Sequence, residues 1–437
     1  MSKARVHGRS STGSFGIPLV AGALVVVAGV GTAGFLVATH RSGARTRATL
    51  ISTRARSAHS HHHHAAPPPK GPLGGAAISP SSSSASVPWQ SDVTVRYTEP
   101  LAPSSPLPTL SPSPAGSWYR VGPETVQFRP VSQFTPYQHE IVTVPAASVS
   151  TGGMTLGHDV RSAFKVKGAS VLRLQELLAE LGYLPVAFTP AGGSQPAPAS
   201  GVPTSATPGF KTPPSPPSMT GTTVATAPSA AAPKDFEPSS PGDVPREALA
   251  GSFSWRFPNI PPMLAGLWTP GQANVITTGA VMEFEAAHGL STDGVAGPLV
   301  WKTLLKAAAE QQVTTAPYDY VYVSQASPEF VTVWRDGVNV FTTLANTGIP
   351  QSPTAVGTWP VYLRYRVTTM SGTNPNGTTY NDPGIPWVSY FNGGDALHGF
   401  IRAAYGFPQS LGCVEMPFSS AAVVWPYTPI GTLVTIE

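Results

Sequence analysis

Cysteine is almost missing from this chain: Cys413 is the single one in 437 residues. A lone thiol cannot close an internal disulfide, and without further ligands it makes a poor metal site. Charge is scarce as well. Asp, Glu, Lys and Arg make up only 11% of the residues. No dense Lys/Arg cluster interleaved with aromatics occurs in the later segments, which argues against nucleic acid as a partner. The net charge of +4 comes largely from N-terminal arginines, and the basic balance suits polyanionic surroundings such as a cell wall. A histidine tract, His61 to His64, has no carboxylate or cysteine cluster beside it, so no metal and no cofactor is expected.

What the chain does have is unevenly spread. Phe15 to Thr39 is an apolar run without charge, and about 20 such residues cross a bilayer. Lys3, Arg5 and Arg9 precede it and no small-x-small cleavage site follows. This predicts an uncleaved membrane anchor over 15–39 behind a cytoplasmic tail, 1–14. Arg41, Arg45, Arg47, Arg54 and Arg56 follow the run, so the positive-inside count favours the opposite orientation. Placing the C-terminal mass outside rests on the nature of the domains that follow. Residues 40–88, with Pro67-Pro68-Pro69 and Ser81 to Ser84, read as a disordered linker.

From 89 to 146 apolar and polar residues alternate, as at Val93, Val95 and Tyr97, then Val126 and Phe128, then Val142 and Val144. Period-two patterning punctuated by Pro and Gly predicts a small antiparallel β-domain. Val171, Leu174, Leu177, Leu178 and Leu181 form a helical stripe that Gly182 ends. A second helical segment carries Val281, Phe284 and Ala287 on one face and stops at Gly289. Asp293-Gly294 makes a turn, and Gly297-Pro298 leads into a helix with Trp301 and Leu304 inward. Between the two lies a Pro/Ser/Thr/Ala-rich insertion, 188–250, predicted to be disordered.

The last 120 or so residues, 318–437, alternate again, with a hairpin turn at Asp336-Gly337. They contain His398-Gly399 and, 15 residues after the histidine, Cys413 within Ser410-Leu411-Gly412-Cys413-Val414-Glu415-Met416. A cysteine with a partner histidine is a candidate nucleophile–base pair. The plain alternative is a small buried residue. Tyr380, Trp387 and Tyr390 precede this pair, either lining a cleft or filling a core.

Residues 318–437 resemble the catalytic domain of the L,D-transpeptidases, the YkuD-like fold. The matching pieces run in family order: Val323-Ser324-Gln325, Val333 to Gly337, Thr347-Gly348, Ser352 to Val361, Ala396 to Gly399, Ser410 to Met416, and Gly431 to Val434. The resemblance implies a cysteine acyltransferase. Cys413 would attack a carbonyl of a peptidoglycan stem peptide, and His398 would serve as general base and acid. The Gly399 carbonyl would orient His398, backbone N–H groups at Gly412 and Cys413 would hold the oxyanion, and Ser410 would support the loop. Tyr380, Tyr390 and Trp387 fall where the family carries a substrate-covering lid, and are expected to bind substrate. Two positions depart from the pattern. Leu411 stands where the family usually has histidine, and Glu415 where it usually has arginine or asparagine.

Two further segments carry looser likenesses. Pro108 to Val144 resembles bacterial Ig-like domains, and Leu172 to Leu184 with Gly279 to Leu305 resembles the three-helix peptidoglycan-binding domain, here 160–308 with its interruption. The expected architecture is multidomain and mainly β: an N-terminal transmembrane helix, an Ig-like domain, a three-helix module and a YkuD-like domain. The expected protein is a single-pass cell-membrane enzyme acting in the wall on stem peptides and glycan. A catalytically inactive wall-binding scaffold, and a cysteine peptidase or carboxypeptidase of the wall, are the alternatives.

Overall fold

A computed structural model describes residues 73–84, 86–112, 114–192 and 244–437. The expected tail (1–14), anchor (15–39) and most of the linker lie outside the described residues, as does the middle of the expected insertion. Among the described residues no helix is long and apolar enough to cross a membrane. The described chain is mainly β, with few helices.

Seven strands come first: β1 (Ala76–Ser79), β2 (Val93–Tyr97), β3 (Thr109–Ser111), β4 (Gly116–Gly122), β5 (Thr125–Pro130), β6 (His139–Val144) and β7 (Val160–Lys165). They form two sheets, ordered β1-β2-β5-β4 and β3-β6-β7. Val93, Val95, Tyr97, Val126 and Phe128 from one sheet meet Leu110, Val142, Val144 and Phe164 from the other in one core. The unit is wider than the alternation suggests. The linker expected to run to 88 stops earlier, because Ala76–Ser79 pairs antiparallel with β2. On the other side β7 pairs along the whole of β6. β1 is built from Ala, Ile and Ser, too small a set to show an alternating pattern. Its strand character comes from covering the edge of β2.

The helical module opens with α1 (Val171–Glu180). Ser170 caps it, its hydroxyl accepting from the Arg173 N–H at 3.1 Å. Gly182 (φ +85°) closes it, with the Gly182 N–H on the Ala179 carbonyl and the Tyr183 N–H on that of Leu178. That is the paired bonding of a glycine C-cap. Next, β8 (Val186–Pro190) and β9 (Gly251–Trp255) pair antiparallel, Pro190 opposite Gly251. The expected insertion therefore begins inside a strand, at 188, and is tied off at its base. The returning chain is fastened to α1: Arg173 Nε donates to the Pro245 carbonyl (2.9 Å), and Glu176, in a buried ion pair with Arg173, accepts the Leu249 N–H. α2 (Pro262–Gly266), α3 (Val275–Ala287) and α4 (Pro298–Ala309) complete the module, so a short fourth helix and a hairpin join the three helices expected.

The C-terminal domain contains β10 (Asp319–Ser324), β11 (Phe330–Arg335), β12 (Val338–Leu344), β13 (Gly357–Pro360), β14 (Leu363–Thr373), β15 (Thr379–Asn392), β16 (Asp395–Gly399), β17 (Val414–Met416), α5 (Phe418–Val424) and β18 (Leu433–Ile436). One sheet runs β12-β11-β10-β18-β13 and the other β14-β15-β16-β17. Asp336 and Gly337, both at positive φ, make the tight turn that suits the twist of β11 and β12. Val321, Val323, Val331 and Val333 from the first sheet meet Leu397, Val414 and Met416 from the second, with Ala421 and Val424 of α5. Two sheets that each bury one face in this way account for the alternating pattern.

α3 docks on this domain with backbone almost touching backbone. A Cβ at Gly279 would lie 2.5 Å from the Gly431 carbonyl oxygen, closer than any side chain allows. Glu283, one turn further along α3, faces the same junction. Burial raises its pKa to about 8, Asp319 adds to the rise and Arg256 opposes it. A carboxyl whose pKa is raised on folding favours the folded state while protonated. Its contribution is complete below the ordinary value of 4.5 and is lost as pH climbs through about 8. Thermal stability is expected to fall between about pH 5 and 8, and Glu283→Gln to flatten that slope in melting curves across the range.

Candidate active site

β16 and β17 pair in parallel, with Leu397 opposite Val414 and His398 opposite Glu415. This pairing brings His398 and Cys413, distant in sequence, to one cleft of about 570 Å³. The segment Asn346 to Thr354 clamps the loop that carries the cysteine. Asn346 and Glu415 exchange both backbone hydrogen bonds at 2.9 Å, the Ser410 N–H donates to the Thr347 carbonyl, and the Ile349 N–H to that of Ser410. Ser352 Oγ donates to the Leu411 carbonyl at 3.0 Å. In turn Glu329, fully buried, accepts from the Thr347 N–H and hydroxyl, and so anchors the clamp.

Within the loop, Ser410 Oγ donates to the Cys413 carbonyl (2.5 Å) and accepts from the Gly412 N–H (3.2 Å). The Gly412 N–H, expected to face an oxyanion, is thus already engaged. Gly412 sits at φ +116°, and a Cβ there would collide with the Asp395 carboxylate. The positive φ favours glycine at this position. His398 is buried, and its Nδ1 lies 3.0 Å from the Gly399 carbonyl. With Nδ1 as the donor, Nε2 is left as a free acceptor. Cys413 is half-buried, and its Sγ–H points to the Gly394 carbonyl at 3.7 Å. No hydrogen bond joins Cys413 to His398 among the described residues.

Burial dominates the electrostatics. It pushes the Cys413 thiol up to about 12, with Asp395 and Glu415 adding to the rise and the Ala396 N–H opposing it. Burial also lowers the His398 pKa below the ordinary imidazole value, against the Gly399 carbonyl and Glu415. Both shifts favour the uncharged form of each group.

Tyr380 and Tyr390 line the cleft together with His398 and Cys413. Trp387 does not. Three positions before Tyr390 on β15, it falls on the other face of the strand. There it packs on Trp425 (ring centroids 5.5 Å apart) beneath the Arg366 guanidinium. Leu411 also reaches the cleft wall. Glu415 is buried and held by Arg402 in two bonds of 2.7 and 2.8 Å. The position where the resemblance implies arginine or asparagine thus carries a carboxylate, and a guanidinium reaches the same wall from residue 402. Nothing in the spacing of Arg402 announces this partnership. Asp395 was also missed, although a charged residue directly before Ala396-Leu397-His398 was a visible signal.

Residues 318–436 match the family model of the YkuD L,D-transpeptidase catalytic domain, and this domain is a member of that family. No curated protein matches the chain. Among solved structures, an L,D-transpeptidase from Mycobacterium smegmatis is 11% identical over 83% of this chain and 97% of its own, with a TM-score of 0.25. The catalytic domain of an E. faecium L,D-transpeptidase is 24% identical over 28% of this chain and 100% of its own, with a TM-score of 0.26. An L,D-transpeptidase from Stackebrandtia nassauensis is 22% identical over 40% of this chain and 85% of its own, with a TM-score of 0.23.

Two outcomes follow from the site's charges. Alkylation of Cys413 by iodoacetamide, read by mass spectrometry, is expected to be slow at pH 7 and to keep rising past the ordinary thiol pKa of about 8.5. A plateau by pH 8 would mean that the thiolate is stabilised instead. Arg402→Met strands the Glu415 carboxylate in the wall and is expected to cost about 3 kcal/mol, the lower end for a broken buried pair because Arg402 is partly open to solvent. The double variant Arg402→Met/Glu415→Met should regain most of the lost melting temperature.

Proposed function

We propose that the chain is a peptidoglycan L,D-transpeptidase that works through a thioester on Cys413. The observation that carries this reading is the convergence of His398 and Cys413 on one cleft, with Ser410 bonded to the Cys413 carbonyl and the Gly412 N–H behind it, within a domain of that family. The thiol turns from the Gly394 carbonyl toward His398, whose neutral Nε2 takes its proton as sulfur attacks the donor carbonyl. A concerted transfer suits a pair whose shifts both favour the uncharged form. The C–S bond forms, the peptide C–N bond breaks, and His398 returns the proton to the departing amine. With the Gly412 N–H held by Ser410, the Cys413 N–H supplies the oxyanion contact. An amine of a second stem then attacks the thioester and regenerates the thiol.

The family resemblance suggests a tetrapeptide donor and cross-links through the third residues of the stems. Tyr380 and Tyr390 offer aromatic faces to the donor. The helical module serves as a peptidoglycan-binding unit that raises local substrate concentration, and the seven-stranded unit as an Ig-like spacer. Residues 15–39 anchor the protein in the cell membrane, with the later domains in the wall.

A second reading, a non-catalytic wall-binding protein, is favoured by one observation: the resting thiol is not hydrogen-bonded to His398 and is hard to ionise. Incubation of the protein and of its Cys413→Ala variant with disaccharide-tetrapeptide separates the two. A cross-linked dimer lacking one terminal residue, made by the first and not the second, is the expected mass-spectrometric result. Release of the terminal residue without dimer would indicate a carboxypeptidase, and no product from folded protein would favour the scaffold.

A further inference from the structure

The cleft holds a carboxylate that the first half of this chemistry does not need. Asp395 begins β16 directly after the Gly393-Gly394 turn and faces the same cleft as Cys413. It approaches the nucleophile loop so closely that a Cβ at residue 412 would lie 2.4 Å from its Oδ1. The one hydrogen bond that its carboxylate accepts among the described residues is a long one, from the Ala355 N–H at 3.5 Å. The cleft's guanidinium, Arg402, is committed to Glu415, and the nearby Tyr362 hydroxyl donates to the Gly393 carbonyl. Among the described residues no Lys, Arg or His forms an ion pair with Asp395.

A negative charge here is a liability for acylation. It disfavours the Cys413 thiolate and repels the oxyanion that forms when sulfur attacks. It does not stabilise the fold through an ion pair either. What it does provide is an uncompensated anionic group beside the sulfur, open to the cleft, where a cation is attracted.

The reaction brings one cation to that place. The acceptor amine arrives as an ammonium, since an alkylamine's pKa is near 10.4. We infer that Asp395 is the acceptor-binding group of this enzyme: its carboxylate docks the ammonium of the second stem beside the Cys413 thioester. This inference rests on the transpeptidase reading and extends it to the second half-reaction. The docked ammonium gives one proton to solvent through the open cleft. The amine then attacks the thioester carbon, the C–N bond forms and the C–S bond breaks. The second amine proton passes by way of His398 to the departing sulfur, which restores the thiol and leaves a neutral amide.

Opposite effects on the two halves are the signature of this role. In Asp395→Asn, acyl-enzyme formation from the tetrapeptide donor, followed by intact-protein mass spectrometry, is expected to speed up by a few-fold as the charge beside the thiol is removed. Partitioning of the acyl-enzyme between a stem-peptide amine and water is expected to shift about tenfold toward water, the size of a lost charged hydrogen bond. Asp395→Ser serves as a second variant with the same expected directions, and acyl-enzyme formation reports that each variant is folded. A partition ratio equal to the unsubstituted protein's, or acylation and transfer falling together, overturns the role of Asp395 while leaving the transpeptidase reading intact. Absence of any acyl-enzyme in the unsubstituted protein overturns that reading, and this inference with it.

Discussion

Everything at this site depends on the parallel pairing of two short strands, β16 and β17. The pairing fixes His398 against Glu415 and so sets where Cys413, one residue before β17, can present its sulfur. Three residues of β17 could not hold that register alone. The segment 346–354 holds it from the other side, through backbone bonds to Ser410 and Glu415 and a side-chain bond to Leu411. Such backbone bonding is indifferent to side-chain identity. It explains how the loop keeps its shape although Leu411 and Glu415 differ from the family's usual residues.

The same pairing explains why charge in the cleft is arranged as it is. A carboxylate at 415, buried next to a histidine, needs a partner, and Arg402 provides a bidentate one. The pair is nearly self-cancelling, so its pulls on His398 oppose each other. Burial then sets the protonation of both His398 and Cys413, in the neutral direction for each. Asp395, which lines the same cleft, has no such ion-pair partner among the described residues.

How much of this was legible in the sequence differs by element. The strands of the C-terminal domain announced themselves, because Val321, Val323, Val331 and Val333 alternate toward one core and Asp336-Gly337 marks the turn between them. Cys413 and His398 stood out because a thiol is so rare in this chain. The Schellman-type end of α1 was visible in Gly182. Less visible was whatever depends on a distant partner. β1 has no pattern of its own and exists through β2. Trp387 reads as a cleft aromatic until the parity of β15 turns it toward Trp425. The link between Arg402 and Glu415 crosses a loop whose path no local propensity encodes. Sequence periodicity reports which face a residue takes, and it is silent on which remote group meets it.

The β8–β9 pair has a consequence for how this chain can change over time. Pro190 and Gly251 are held opposite each other, and Glu176 receives the returning backbone at Leu249, so the described residues on either side of that stretch are joined at its base. For a flexible loop closed by such a pair, each doubling of length costs only about 0.6 kcal/mol of closure entropy. The two strands thus act as a socket. Lineages can exchange what is plugged into it, or an experimenter can splice in a reporter domain, while the helices beneath and the enzyme domain beyond keep their positions.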